Sequence, residues 1–150
     1  MIHPILFIQT GGTIDKKYPQ KANAYGFEIE DAAFNRILVK AQVKFDFETI
    51  SLFRKDSQDI TNNDRDKLLA LCKQTLYKNI IITHGTDTIR ETAKHLVNVD
   101  GKTIILTGAH LPECVNGSDA DFNLGVSVGA INTLDNGVYI ALNGLVEKIK

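Results

Sequence analysis

Short aliphatic and β-branched runs alternate along this chain with longer stretches whose apolar positions recur every three or four residues. The run 5–9 ends at Thr10-Gly11-Gly12 and predicts a first strand. Residues 15–27 are polar, carry Pro19, Gly26 and two tyrosines, and predict a loop or a mobile hairpin. Asp31 is placed to cap a helix over 32–41, with Phe34, Ile37, Leu38 and Ala41 on its inner face. Phe45, Phe47, Thr49 and 51–53 alternate as a second strand. Thr61 or Asn62 caps the next helix, which runs to about 75 with Leu68, Leu69, Leu71 and Cys72 inward. The run 79–83 predicts a third strand buried on both faces, followed by a helix over 87–97. A fourth strand, 103–107, leads to a loop over 110–119, a helix over 122–134 and a fifth strand over 137–142.

Strands alternating with helices imply parallel βαβ units. The expectation is an open three-layer α/β sandwich. Its mainly parallel five-stranded sheet would be flavodoxin/Rossmann-like, in the order 2-1-3-4-5. Ligands of such sheets bind beyond the carboxyl ends of the strands, where the strand order reverses. That point falls between strands one and three, beside Thr10-Gly11-Gly12 and His84-Gly85.

Composition narrows the function. The 150 residues suit one domain, here taken as 1–150. With 43% hydrophobic and 23% charged residues, the chain has the makings of a folded core. Lys and Arg number 17 against 18 Asp and Glu, which leaves no electrostatic footprint for nucleic acid or an anionic membrane. No apolar run approaches the ~18 residues of a membrane span, and the opening residues lack the basic start of a signal peptide. Cys72 and Cys114 have neither metal-ligand nor disulfide spacing. His3, His84, His95 and His110 also lack ligand spacing, so no metal and no cofactor is expected. The expectation is a cytoplasmic enzyme or binding module.

Four motifs carry candidate chemistry. Thr10-Gly11-Gly12-Thr13-Ile14 sets two hydroxyls around a glycine turn at a strand end. Taken alone it fits a positive-φ turn or a phosphate cradle, but it is neither a dinucleotide fingerprint nor a P-loop. In His84-Gly85-Thr86-Asp87-Thr88, Thr86 or Asp87 is a candidate helix cap. The same segment offers a hydroxyl and a carboxylate beside a helix N-terminus, where an oxyanion would be stabilised. Ser57-Gln58-Asp59 suits recognition of a small zwitterion. The segment from Gly117-Ser118-Asp119 through Asn123-Leu124-Gly125 suits caps and a close-packed glycine.

Together these motifs resemble the bacterial-type L-asparaginase/glutaminase family, over roughly residues 3–143. Thr10–Ile14 is similar to its first signature and His84–Thr88 to its second. Ser57-Gln58-Asp59, Thr107-Gly108-Ala109 and Ser118-Asp119 follow the family's order. The resemblance covers only the N-terminal-type domain of the usual two-domain enzyme.

The resemblance implies hydrolysis of L-asparagine to L-aspartate and ammonia through a threonine acyl-enzyme, with glutamine as an alternative substrate. It implies Thr13 as nucleophile and Thr86 with Asp87 as a second hydroxyl centre. A loop tyrosine would act as lid, Tyr25 first and Tyr18 as the fallback. Gly12, Ser57, Gln58, Gly85, Thr86, Asp87 and Ala109 would hold the amino-acid substrate. A homo-oligomer, dimer or higher, is the implied assembly. The family's catalytic lysine follows Asn143 by eleven residues, whereas this sequence continues for seven. Lys148 and Lys150 are the alternatives, by default solvated, yet reachable at ~3.3 Å per extended residue. The alternative reading is a catalytically degenerate relative that binds a small amino acid.

Overall fold

The computed structural model describes residues 3–19 and 26–150. Its strands are β1 (Ile5–Gly11), β2 (Lys16–Lys17), β3 (Glu28–Ile29), β4 (Phe47–Lys55), β5 (Asn79–Thr83), β6 (Thr103–Thr107), β7 (Gly137–Leu142) and β8 (Leu145–Ile149). Its helices are α1 (Ala33–Lys40), α2 (Asn62–Gln74), α3 (Ile89–His95) and α4 (Ala120–Ile131).

The main sheet runs β4-β1-β5-β6-β7-β8. Its first five strands are parallel and stand in the expected order; β8 joins β7 antiparallel. The sheet therefore has six strands where five were expected. The extra strand arises at Asn143-Gly144, both at positive φ (56° and 81°), which turns the chain straight back along β7. Asn-Gly is a strong turn pair for a two-residue hairpin because both central residues tolerate that region.

The inner strands β1, β5 and β6 are buried along their whole length because helices cover both faces. Ile5, Phe7, Ile81 and Ile105 face α1 and α4. Leu6, Ile8, Ile80, Ile82, Ile104 and Leu106 face α2 and α3. Phe7 anchors the first layer, with its ring 5.5 Å from that of Phe34 and 5.9 Å from that of Phe47.

Three helix starts differ from expectation. At α1 the N-cap is Ala32, and Asp31 instead pairs with Lys17 (3.1 Å) and Arg36 (2.8 Å). The Ala33 N–H donates to the Asp15 carboxylate at 2.7 Å, a partner 18 residues upstream. At α3 neither Thr86 nor Asp87 caps; Thr88 occupies that place and sends its hydroxyl to the Ser57 carbonyl (2.8 Å). Helix α4 starts at Ala120, two residues early. Helix α2 starts as expected: the Thr61 hydroxyl accepts the Asp64 N–H (3.2 Å) and the Asp64 carboxylate accepts the Thr61 N–H (2.9 Å). Leu68 and Cys72 are its fully buried side chains, while Leu69 and Leu71 pack at the rim. β2, at the start of the 15–27 segment, and β3, just beyond its end, pair as a short antiparallel ladder.

Candidate active site

The carboxyl end of β1 is shaped by two glycines. Gly11 (φ 111°) leaves room for none but itself: a Cβ there would lie 2.5 Å from the Lys55 carbonyl oxygen. Gly12 (φ 87°) donates its N–H to the same oxygen at 3.0 Å. A Cβ on Gly12 would lie 2.5 Å from the Cα of Gly85. The chain then makes one 3-10 turn, Thr13–Asp15. One residue before the glycines, the Thr10 hydroxyl donates to the Thr83 carbonyl (2.7 Å) and ties the ends of β1 and β5 together.

Three further segments close on this point. A Cβ on Gly85 would lie 2.8 Å from the Ser57 hydroxyl, so Ser57 packs on Gly85 as Gly85 packs on Gly12. Gln58 Nε2 donates to the Asp87 carboxylate at 2.7 Å. A Cβ on Gly108 would collide with the His84 carbonyl oxygen and touch Thr86 Cγ2 at 3.7 Å. Ala109 follows, almost fully buried. Gly12, Thr13, Ser57, Gln58, Gly85, Thr86, Asp87 and Ala109 thus belong to segments that meet at the expected end of the sheet. Thr13 and Thr86 are half-buried, whereas Gln58 and Asp87 are exposed.

Asp119 and Asn123 hold the β6 exit. The Asp119 carboxylate accepts the N–H of His110 (3.0 Å) and of Leu111 (3.0 Å). Burial pushes its pKa up, but these backbone donors outweigh it and hold the group below the usual carboxylate range. Asn123 Nδ2 donates to the Gly108 carbonyl (2.9 Å), and its Oδ1 accepts the Asn143 N–H (3.2 Å). These contacts of the segment are to backbone, and Gly125 faces open space and is not close-packed.

Two buried titratable groups stand behind the site. His84 is fully buried, and its imidazole is held to a pKa of about 4, chiefly by desolvation. Arg65 Nε donates to the Thr92 hydroxyl (3.0 Å), which therefore turns its proton to His84 Nε2 (2.8 Å). His84 Nδ1 keeps the ring proton and donates to the Gly85 carbonyl (2.7 Å). Asp15 is also fully buried, and desolvation raises its carboxyl to about 7 against the lowering effect of the Ala33 N–H and Gln9. Sequence reasoning missed Asp15, Gln9, Arg65 and Thr92. Each meets its partner across the sheet or between helices, at separations no local motif encodes.

Two expectations fall elsewhere. Tyr25 lies outside the described residues, and Tyr18 is exposed, its ring tilted against that of Phe27 at 4.4 Å between ring centroids. Lys148 sits opposite Tyr139 near the amino end of β7, its Nζ 3.5 Å from the Asn136 carbonyl. Strand β8 thus carries Lys148 and Lys150 to the end of the sheet opposite Thr13. Among the described residues, no three His, Cys, Asp or Glu side chains gather as a metal site.

A family model described as "Asparaginase, N-terminal" matches residues 4–148. The chain is 29% identical over 155 residues to a glutaminase-asparaginase of Pseudomonas aeruginosa, covering 93% of this chain and 42% of that protein. It is 26% identical to a glutaminase-asparaginase of Acinetobacter glutaminasificans, covering 93% and 46%. Among solved structures, the thermostable L-asparaginase from Thermococcus kodakarensis superposes with a TM-score of 0.79 at 25% identity, covering 95% of this chain and 45% of that one. A probable cytoplasmic L-asparaginase from Campylobacter jejuni gives 0.80 at 24% identity, covering 99% and 48%. The chain spans somewhat under half the length of these relatives.

Proposed function

Because the chain belongs to the asparaginase family, through the N-terminal-domain model spanning residues 4–148, we propose that it hydrolyses the side-chain amide of L-asparagine. L-Glutamine is the alternative substrate, in line with the names of its glutaminase-asparaginase relatives. The observation that carries this reading is the backbone contact between Gly12 and Gly85, which brings together the segments bearing Thr13 and Thr86.

In the proposed reaction the Thr13 hydroxyl attacks the amide carbon. The carbonyl oxygen takes up negative charge, the hydroxyl proton passes to the departing nitrogen, and ammonia leaves an ester on Thr13. Water then attacks that ester, releases L-aspartate and restores the hydroxyl. Backbone N–H groups at the exits of β1 and β5 are the natural oxyanion donors, since an amide is a poor electrophile without them. Ser57 and Gln58 hold the substrate's α-carboxylate and α-amino groups. Asp87 accepts from the α-ammonium; with Gln58 on one oxygen, its other oxygen has no hydrogen-bond partner among the described residues. Thr86 provides the second hydroxyl beside the reacting centre, and Ala109 and Gly12 line the substrate.

The second reading is a catalytically degenerate relative that binds a small amino acid without turnover. It is favoured by the positions of the lysines: Lys148 lies on β8 at the far end of the sheet, Lys16 is paired with Asp56 (3.1 Å) and Lys55 with Asp64 (2.8 Å).

Residues 1–150 are read as one N-terminal-type domain, working as a homo-oligomer in the cytoplasm, the last in line with the printed name of the Campylobacter relative. Among the described residues, no helix is long and apolar enough to cross a membrane.

Hydroxylamine tests the covalent step. An acyl-threonine partitions between water and hydroxylamine, so aspartyl hydroxamate should form at the expense of aspartate while one ammonia is still released per asparagine. Asparagine left unchanged, with neither ammonia nor hydroxamate, ends the hydrolase reading.

A further inference from the structure

Asp15 belongs to none of the roles above, yet it closes the turn that carries Thr13. It is the last residue of the Thr13–Asp15 3-10 turn, and its own N–H returns to the Gly12 carbonyl at 3.2 Å. Its side chain is fully buried. One carboxylate oxygen accepts the Ala33 N–H at 2.7 Å, the first amide of α1. The other accepts Gln9 Nε2 at 3.0 Å. The Asp15 carbonyl accepts the Glu30 N–H at 3.0 Å.

The orientation of Gln9 is fixed independently of Asp15. Its carbonyl oxygen accepts the Ser51 hydroxyl (2.6 Å), and its Nε2 also donates to the Glu30 carbonyl (2.8 Å). Both partners of Asp15 are therefore donors that cannot turn into acceptors. A buried group at this position must accept twice, which a carboxylate does and a carboxamide does not. The charged groups around it lie on or against α1: Arg36, which lowers its pKa, and Asp31, which raises it. Arg36 is itself paired with Asp31 (2.8 Å) and Glu113 (2.9 Å).

We infer that Asp15 is a positioning residue for Thr13: its ionised carboxylate, clamped between Gln9 and the first amide of α1, fixes the 3-10 turn that aims the Thr13 hydroxyl. The clamp is strongest when two acceptors are available and loses one when the carboxyl carries a proton. Burial opposes ionisation and brings the transition close to neutral pH. The aim of Thr13 should then tighten as the pH rises through neutrality. The catalytic consequence rests on the hydrolase reading; the clamp itself does not.

The test uses the whole chain without substrate, then with it. Backbone amide resonances of Thr13, Ile14 and Ala33 are followed across neutral pH in the wild type, in Asp15→Asn and in Gln9→Met. The wild type should show one shared transition at all three amides. Asp15→Asn should abolish it. Gln9→Met removes one stabilising donor, keeps the carboxylate and should move the transition to higher pH. In ammonia release, Asp15→Asn should lower kcat by about tenfold to a hundredfold with little change in KM, as expected for a misaimed nucleophile. It should also remove the neutral inflection from the pH profile of kcat. Three results would each overturn the inference: amides that do not titrate together, a transition that persists in Asp15→Asn, or a kcat and pH profile unchanged in that variant. A wild type that shows the amide transition but releases no ammonia sinks the hydrolase reading and leaves the clamp standing.

Discussion

Gly12 and Gly85 meet backbone to backbone, with a Cβ on Gly12 falling 2.5 Å from the Gly85 Cα. Each glycine directly precedes a threonine, so this contact holds together the two strand exits that carry the proposed site. The strand order makes the contact possible, because β1 and β5 are neighbours across the crossover that defines the switch point. Neither residue has a side-chain function; both are sites of close approach.

Gly12→Ala should therefore be far more costly than an alanine at a glycine in open space. Gly101 also has positive φ (71°) but has nothing within 4 Å of its added Cβ. Gly101→Ala should cost about 1–2 kcal/mol, the strain of the left-handed region alone. Gly12→Ala adds a backbone collision and should cost at least about 1 kcal/mol more, read from urea denaturation of both variants.

Asp15 and His84 should impose opposite pH dependences on stability. Asp15 titrates near 7 when folded against 3.8 as reference, so the folded state holds its proton longer, and stability falls as pH rises from about 4 to 7. His84 titrates near 4 against 6.5, so the unfolded state protonates first, and stability falls as pH drops from about 6.5 to 4. At about 1.4 kcal/mol per pKa unit, Asp15 amounts to roughly 4–5 kcal/mol and His84 to roughly 3–4 kcal/mol, and over the shared window they largely cancel. Asp15→Asn should unmask a loss of stability on acidification, and His84→Asn a loss on alkalinisation. Denaturation free energies at several pH values check both signs.

Thr61→Ala removes one half of the α2 capping box and should cost about 1 kcal/mol. Asp64, the other half, is held to a pKa of about 2, chiefly by Lys55. Because the Lys55 carbonyl holds the Gly12 N–H, the lost cap should also speed amide exchange at Gly12, measurable by hydrogen–deuterium exchange.

Lys148→Met should leave ammonia release within about twofold of the wild type. The side chain lies over the Tyr139 ring, at 5.7 Å, at the end of the sheet opposite Thr13. A large loss of kcat without loss of stability would return the tail lysine to the site.

The inner strands were legible because both of their faces are buried. Asn79–Thr83 and Thr103–Thr107 read as uninterrupted apolar runs between turn residues, and they fold with those bounds. Strand β8 was not legible from its own residues: Glu147 and Lys148 interrupt its apolar positions Leu145, Val146 and Ile149, and Asn143-Gly144 is what signals the hairpin. The start of α1 was hidden for another reason, since its first amide is met by Asp15 and not by a neighbouring cap. Of the proposed site, Thr13, Ser57, Gln58, Thr86 and Asp87 stand in motifs legible in the sequence. The Arg65–Thr92–His84 chain and the Asp15 clamp do not, because Arg65 reaches Thr92 only once α2 and α3 pack together, and Asp15 meets the first amide of α1 only once that helix docks beside the β1 turn.

The most direct measurement is ammonia release from L-asparagine by the wild type, Thr13→Ala and Thr86→Ala, each with its melting temperature with and without L-aspartate. The paired-hydroxyl site predicts turnover by the wild type and a fall of roughly a thousandfold or more in both variants, with the fold and its stabilisation by ligand preserved. Turnover that survives either substitution would contradict it. A wild type stabilised by aspartate but releasing no ammonia would identify a binding protein on an asparaginase fold.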